Sequence, residues 1–198
     1  MISPAGPCWA VVPAKPASRA KSRLSGVLSP AERARLAADM LAHVVATARA
    51  YDAIDAVLVI GGSAPQGDGV EWAEDPGGGL NVALQWALDQ VAHRGGGRVV
   101  TLAGDLPLLT QADLIRLIDL PRDTIGVAPD RHGTGTNALS LPLPGADRFR
   151  FAYGSGSFAR HRSEARRIGY NACAILGNGL AKDIDEPDDL ADAGWRES

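Results

Sequence analysis

The sequence predicts a single α/β domain, residues 1–198, built on a mostly parallel sheet. Two observations lead there. Cys8–Val12 (CWAVV), Ala56–Ile60 (AVLVI) and the run Val99, Val100, Leu102, Ala103 are short and almost continuously apolar, as strands buried on both faces must be. The third of these runs lies in RVVTLAGDLPLL (Arg98–Leu109) and stops abruptly at Gly104-Asp105-Leu106-Pro107. A carboxylate therefore stands at the carboxyl end of a central strand, the edge where open α/β sheets bind ligands.

Length and composition are those of an ordinary globular protein. A chain of 198 residues, 45% hydrophobic and 22% charged, can bury a substantial core without disulfides. A net charge of -3 offers no electrostatic ground for nucleic acid or an anionic membrane as partner. Cys8 and Cys173 match no zinc or redox spacing, so both are expected as reduced thiols. The N-terminal MISPAGP is not a signal peptide, and no apolar run approaches membrane-spanning length, which predicts a cytoplasmic protein.

In chain order, Cys8–Val12 runs into a loop, Pro13 to Leu24, whose two prolines disfavour a long helix. Lys15, Arg19, Lys21 and Arg23 follow the strand's carboxyl end, where several cations suit a polyphosphate; the plainer alternative is a solvated basic loop. Ser29-Pro30-Ala31-Glu32 is a helix start, and the helix runs to about Ala50. Leu36, Met40, Leu41, Val44 and Val45 form its core stripe, with His43 expected as a partly buried packing residue.

Ala56–Ile60 is closed by Gly61-Gly62-Ser63, and a short apolar segment, Val70–Ala73, follows a polar loop. Pro76-Gly77-Gly78-Gly79-Leu80-Asn81 opens a helix to about His93. Glycines there let a ligand approach the backbone, and the free N–H groups of the first turn favour an anion. Asn81 suits either a ribose or base edge, or a helix cap. The plainer alternative for Asp105 is a cap of the next helix, and the sequence argues against it. Thr110-Gln111-Ala112-Asp113 already forms a capping box opening Gln111–Leu120, and Asp105 lies five residues too early.

Ile125–Ala128 is a strand leading into Pro129–Asn137 (PDRHGTGTN), which carries more hydroxyl and amide donors than a turn needs. Ala138–Leu141 is the next strand. Phe151–Phe158 (FAYGSGSF) is a second Gly/Ser loop before the basic helix Ala159–Arg167, and Ser157 there is either an N-cap or an anion ligand. In Lys182–Leu190 (KDIDEPDDL) an extended chain points Asp183 and Asp185 to one side and Ile184 to the other. Paired carboxylates repel unless a cation lies between them, so with Asp105 they suit magnesium. Asp188 and Asp189 read as a solvated acidic tail in the first turn of a helix.

Taken together, WAVVPAKPASRAKSRL, the Pro-Gly-Gly-Gly-Leu-Asn helix start, AGDLPLL, DRHGTGTNAL, YGSGSFARH and KDIDEPDDL resemble the 2-phospho-L-lactate guanylyltransferase family. These enzymes act in coenzyme F-420 biosynthesis and share the fold of the molybdenum-cofactor nucleotidyltransferases. The resemblance implies a three-layer α/β/α sandwich, Rossmann-like, with a mostly parallel mixed sheet. It implies Asp105, Asp183 and Asp185 as magnesium ligands and Asp105 and Lys21 as catalytic residues. Lys15, Lys21 and Arg23 would then face the GTP phosphates, with Gly78, Gly79 and Asn81 completing the nucleotide site. Thr136, Gly154 and Ser157 would bind the acceptor.

The implied reaction moves GMP from GTP to the phosphate of a three-carbon phosphorylated acid (2-phospho-L-lactate, phosphoenolpyruvate or 3-phosphoglycerate) and releases pyrophosphate. The implied partners are these two substrates and, transiently, the transferase that takes the product. Two features depart from the pattern: PAKPASRAKSRL stands where the molybdenum-cofactor enzymes have a Gly-rich loop, and Glu186 stands where a hydroxyl residue often precedes the proline. The alternatives are a nucleotidyltransferase of the same fold with another acceptor or base, and a non-catalytic nucleotide-binding module. The latter would be expected to lack one of the three aspartates, and all three are present.

Overall fold

In the computed structural model, which describes residues 6–14, 21–62 and 69–192, seven strands form one sheet. They are β1 (Cys8–Ala14), β2 (Ala56–Gly61), β3 (Val70–Ala73), β4 (Arg98–Leu102), β5 (Thr124–Pro129), β6 (Thr136–Pro142) and β7 (Asn171–Ala174). Their spatial order is β3-β2-β1-β4-β6-β5-β7. β6 alone runs against its neighbours β4 and β5, and every other pairing is parallel. This is the mostly parallel mixed sheet that the sequence led us to expect.

The helices are α1 (Pro30–Arg49), α2 (Leu80–His93), α3 (Gln111–Ile118), α4 (Ser157–Arg167), α5 (Asn178–Ala181) and α6 (Pro187–Asp192). Alternation along β1 separates two cores. Cys8, Ala10 and Val12 face Val44, Val45 and Ala48 of α1 and Leu114 and Leu117 of α3. Trp9 and Val11 face Ala83, Leu84, Ala87, Leu88 and Val91 of α2, with Ala165 of α4 in the same cluster. The result is three layers with the sheet in the middle, and the strands are apolar throughout because both faces are covered.

The chain leaves β1 toward α1 on one face and arrives at β4 from α2 on the other. The crevice between the carboxyl ends of β1 and β4 is thus the topological switch point, and Asp105 follows β4 into it. β6 enters the sheet at this same edge because of its reversed direction, so its first residues lie where the other strands end.

Local signals explain most element boundaries. Ser29 caps α1: its hydroxyl accepts the Glu32 N–H at 3.3 Å while Glu32 accepts the Ser29 N–H at 2.7 Å, with Pro30 in the first turn. Thr110 and Asp113 make the same reciprocal pair at α3. α3 ends at Ile118, earlier than the expected Leu120, because Leu120 precedes Pro121 and is steered out of helical geometry. α4 begins at Ser157, two residues before the expected Ala159. Thr136 and Asn137, expected in a loop, open β6.

β7 has no counterpart in the sequence reading. It is a four-residue edge strand with exposed or half-buried side chains, so it carries no apolar signature. His43 is also corrected: it is exposed, and its Nε2 lies 3.0 Å from the Leu109 carbonyl, against the segment that follows Asp105.

Candidate active site

Asp105, Asp183 and Asp185 converge at the switch-point edge. One carboxylate oxygen from each lies within 4.8 Å of the others. Ile184 points away from the two aspartates that flank it, as an extended segment requires, and is 2% exposed in a small cluster with Leu24, Leu28, Leu36 and Met40. That cluster ties the acidic segment to the 3-10 turn Ser22–Gly26, so the same packing sets the positions of Lys21 and Arg23.

The Lys21 ammonium donates to Asp105 Oδ2 at 2.6 Å and to Asp185 Oδ1 at 3.2 Å, with only 7% of its side chain exposed. Arg23 stands 3.6 Å from the other Asp185 oxygen with its side chain largely in solvent. Burial by itself would lower the Lys21 pKa; the charges and hydrogen bonds of Asp105 and Asp185 outweigh it and hold the ammonium above its ordinary value. Lys21 is also the one non-glycine among the described residues with positive φ (52°), a conformation that costs energy and is held by its surroundings.

Asp183 is raised in pKa, first by burial and then by the neighbouring Asp105 charge; Asn137, donating to Asp183 Oδ1 at 3.2 Å, works in the opposite direction. Three oxygen donors, one of them resisting its own ionisation, make a site that fits a hard divalent cation.

Beside the acidic cluster lies a second one, built from the two hydroxyl-rich segments. Ser157 donates its hydroxyl to Thr136 Oγ1 at 3.2 Å, and both residues are buried. The Phe158 N–H donates to the Thr134 carbonyl at 3.1 Å, and the Asp130 carboxylate accepts the Thr134 N–H at 2.9 Å, so the turn after β5 is latched to the start of α4. Gly154 has φ 117°, which only glycine adopts without strain, and its carbonyl accepts the Ser157 N–H. Ser157 is not the helix cap: Gly156 holds that position in left-handed geometry. Thr136 and Asn137 are adjacent on β6, so one dipeptide touches both clusters.

The glycine run before α2 adopts positive φ at all three positions (82°, 83° and 91° at Gly77, Gly78 and Gly79), and Gly79 is the N-cap without any side-chain bond. Asn81 is therefore not a cap. Its amide oxygen accepts the Tyr153 N–H at 2.7 Å and its nitrogen approaches the Tyr153 carbonyl at 3.4 Å, joining α2 to the segment that carries Gly154. Lys15 lies outside the described residues.

Three contributors escaped the sequence reading of the site. Asn137 braces Asp183. His161, wholly buried on α4, contacts Thr136; its spacing of four from Ser157 was the signal, since such residues share a helix face. Asp189 is corrected from solvated tail to buried anchor, at 4% exposed. Its Oδ2 accepts the N–H groups of Asp185 (2.8 Å) and Glu186 (2.7 Å), and its other oxygen pairs with Arg131. The residue before Pro187 thus needs no hydroxyl, because Asp189 satisfies the Glu186 N–H from the first turn of α6. Asp188 does remain exposed.

Residues 8–193 match the family model described as guanylyl transferase CofC like. A phosphoenolpyruvate guanylyltransferase from Sphaerobacter thermophilus is 39% identical over 190 residues, covering 91% of this chain and 89% of its own. A 2-phospho-L-lactate guanylyltransferase from Methanoregula boonei is 36% identical over 186 residues, covering 92% of this chain and 80% of its own. Among solved structures, a nucleotidyl transferase from Methanothermobacter thermautotroptrophicus superposes with a TM-score of 0.65 at 15% identity, over 93% of this chain and 94% of that one. The last of these speaks for the fold alone.

Proposed function

The chain belongs to the guanylyl transferase CofC-like family, and from that premise we propose that it transfers GMP from GTP to the phosphate of a three-carbon phosphorylated acid, releasing pyrophosphate, as a step in coenzyme F-420 biosynthesis. The observation that carries this reading is the convergence of Asp105, Asp183 and Asp185 at the switch-point edge, with the Lys21 ammonium paired to Asp105 and Asp185. In this reading a divalent cation, magnesium, is held by the three aspartates and supplies positive charge to the triphosphate and its leaving group.

The chain's own residues do the rest. Lys21 and Arg23 bring two further positive charges to the acidic edge, where they offset the charge of the triphosphate while two polyanions are held together. The positive-φ glycines before α2 open the backbone to the nucleotide at a helix N-terminus. Thr136, Gly154 and Ser157 orient the acceptor with neutral donors, adding no cation that would compete for the GTP phosphates. The attacking atom is a phosphate oxygen whose second pKa is about 6, so near neutral pH it needs no general base. His161 suits that chemistry: it is buried, bonded at both ring nitrogens, and held neutral rather than poised to accept a proton.

The test is pyrophosphate release from GTP with phosphoenolpyruvate, 2-phospho-L-lactate and 3-phosphoglycerate in turn, with ATP, CTP and UTP as alternative donors. Guanylylation of at least one of these acids, with GTP well ahead of the other nucleotides, is expected. Turnover with none of the three acids, or equal use of ATP and GTP, would overturn the reading.

A further inference from the structure

His161 belongs to neither the metal cluster nor the basic turn, yet it is completely buried and both its ring nitrogens are engaged. Nε2 lies 2.9 Å from the Ala152 backbone nitrogen. A backbone N–H can only donate, so Nε2 must be the bare nitrogen of a neutral ring, and the ring's single proton sits on Nδ1. Burial, and secondarily the charge of Arg160, pushes the His161 pKa down to about 4, so the ring stays neutral at physiological pH.

Nδ1 lies 3.0 Å from Thr136 Oγ1, and with its proton fixed there it donates to that oxygen. Ser157 donates to the same oxygen at 3.2 Å. A hydroxyl oxygen accepts two hydrogen bonds and donates one, so both acceptor positions of Thr136 are filled by protein. Its own hydrogen finds no acceptor among the described residues. A buried donor without a partner is costly and asks for one.

We propose that His161 is a positioning residue that makes the Thr136 hydroxyl an obligate donor toward an anionic oxygen of the acceptor. The chain of polarity starts at the Ala152 backbone and runs through the ring to Thr136, and every member has one allowed direction. Ala152 adjoins the Tyr153-Gly154 segment, so the element that fixes the tautomer is the element that flanks the acceptor. A hydroxyl free to rotate could present a lone pair to an anion and repel it; this one cannot. The inference rests on the reading of Thr136 as an acceptor contact.

Two substitutions separate the two ring nitrogens, because a glutamine side chain reaches the position of Nε2 and an asparagine that of Nδ1. His161→Gln keeps an acceptor for the Ala152 N–H and loses the donor toward Thr136. His161→Asn does the reverse, keeping an N–H for Thr136 while orphaning Ala152. With whichever of the three acids supports turnover, His161→Gln should raise the acceptor KM about tenfold while the GTP KM stays within about twofold. His161→Asn should stay closer to wild type in acceptor KM despite a lower Tm.

The opposite order, with Asn worse than Gln in both KM and Tm, would assign His161 a purely structural role and overturn the inference. In the unmutated protein, long-range 1H–15N NMR at pH 7 should show a protonated Nδ1 and a bare Nε2, and the other tautomer would overturn it regardless of how the variants fold. Thr136→Val keeps failure of the two readings apart. If it leaves the acceptor KM unchanged, the acceptor assignment beneath the inference is wrong. If it raises that KM and His161→Gln does not, only the positioning role fails.

Discussion

The Lys21 ammonium lies 2.6 Å from Asp105 Oδ2, joining the turn after β1 to the segment after β4 across the switch point. The two residues come from either side of the crevice between neighbouring parallel strands, and a second contact reaches Asp185 at 3.2 Å. One lysine thus touches both acidic segments, and the site's charge balance depends on it. If the three aspartates hold a metal as proposed, Asp105→Asn, Asp183→Asn and Asp185→Asn should each lower turnover by at least about a hundredfold, the equivalent of a few kcal/mol. Pyrophosphate release measures the loss. A circular-dichroism melt should show each variant folded, and turnover within a few-fold of wild type in all three would remove the assignment.

Lys21→Ala should weaken GTP use by about ten- to a hundredfold and acceptor use by much less, as the proposed role of its charge on the triphosphate side requires. Separate titrations of GTP and acceptor report the split. An equal loss in both would place Lys21 between the substrates and not on the nucleotide.

Thr136→Ala or Ser157→Ala should act in the other direction. A hydrogen bond to a charged group is worth about 1.5–3 kcal/mol, so acceptor efficiency should fall about ten- to a hundredfold, with GTP binding in the absence of acceptor almost unchanged. Loss of GTP affinity with acceptor efficiency intact would move these segments to the nucleotide.

Asp189 and Asp188 form a natural comparison. Asp189→Ala removes the acceptor of two backbone N–H groups and leaves Arg131 without its buried partner, which should cost about 1–3 kcal/mol of stability. It should also raise the magnesium concentration needed for half-maximal turnover by about ten- to a hundredfold, because the backbone of Asp185 is no longer held. Asp188→Ala, on the exposed side of the same turn, should fall within about 0.5 kcal/mol of wild type. Urea unfolding and a magnesium titration decide it; equal effects of the two substitutions would contradict the anchor.

Stability should fall with acid in a window set by His161. The unfolded ring takes up a proton near pH 6.5, whereas the folded ring resists it down to about 4, where burial and then Arg160 oppose the charge while Glu164 favours it. Between those values the unfolded state binds the extra proton, so folding weakens as pH falls, by up to about 1.4 kcal/mol per pH unit from this group. Urea unfolding at pH 5 and pH 7 should show a smaller difference for His161→Gln than for wild type. An unchanged difference would show that the ring titrates normally.

How far the chain could be read in advance depended on how local the cause was. Asp105 was legible because the strand before it and the Thr110–Asp113 cap after it are both short-range patterns, and together they leave that carboxylate unemployed. The opposed directions of Asp183 and Ile184 follow from strand geometry alone. That Thr136 meets Ser157 was suggested by two hydroxyl-rich segments, but their junction is made by β6 reversing direction, which no window of residues reveals. Asp189 was misread for a similar reason. Its burial is imposed by Arg131, which arrives from the turn after β5, and an acidic stretch beside a proline carries no trace of that partner. β7 had no apolar run to give it away.

The reversal of β6 has one more consequence. Thr136 is paired with Pro129 on one side, and Ala138, two residues on, with Leu102 on the other, so the start of β6, which carries the proposed acceptor contact, is held on both flanks. Fixing a backbone residue costs about 1–2 kcal/mol in lost conformational entropy. Here that ordering is complete once the sheet has formed, whereas a donor carried on a free loop would be ordered only when the ligand arrives. The small acid proposed as acceptor offers few atoms with which to repay such ordering, and a donor held in advance on β6 would ask it to repay almost none.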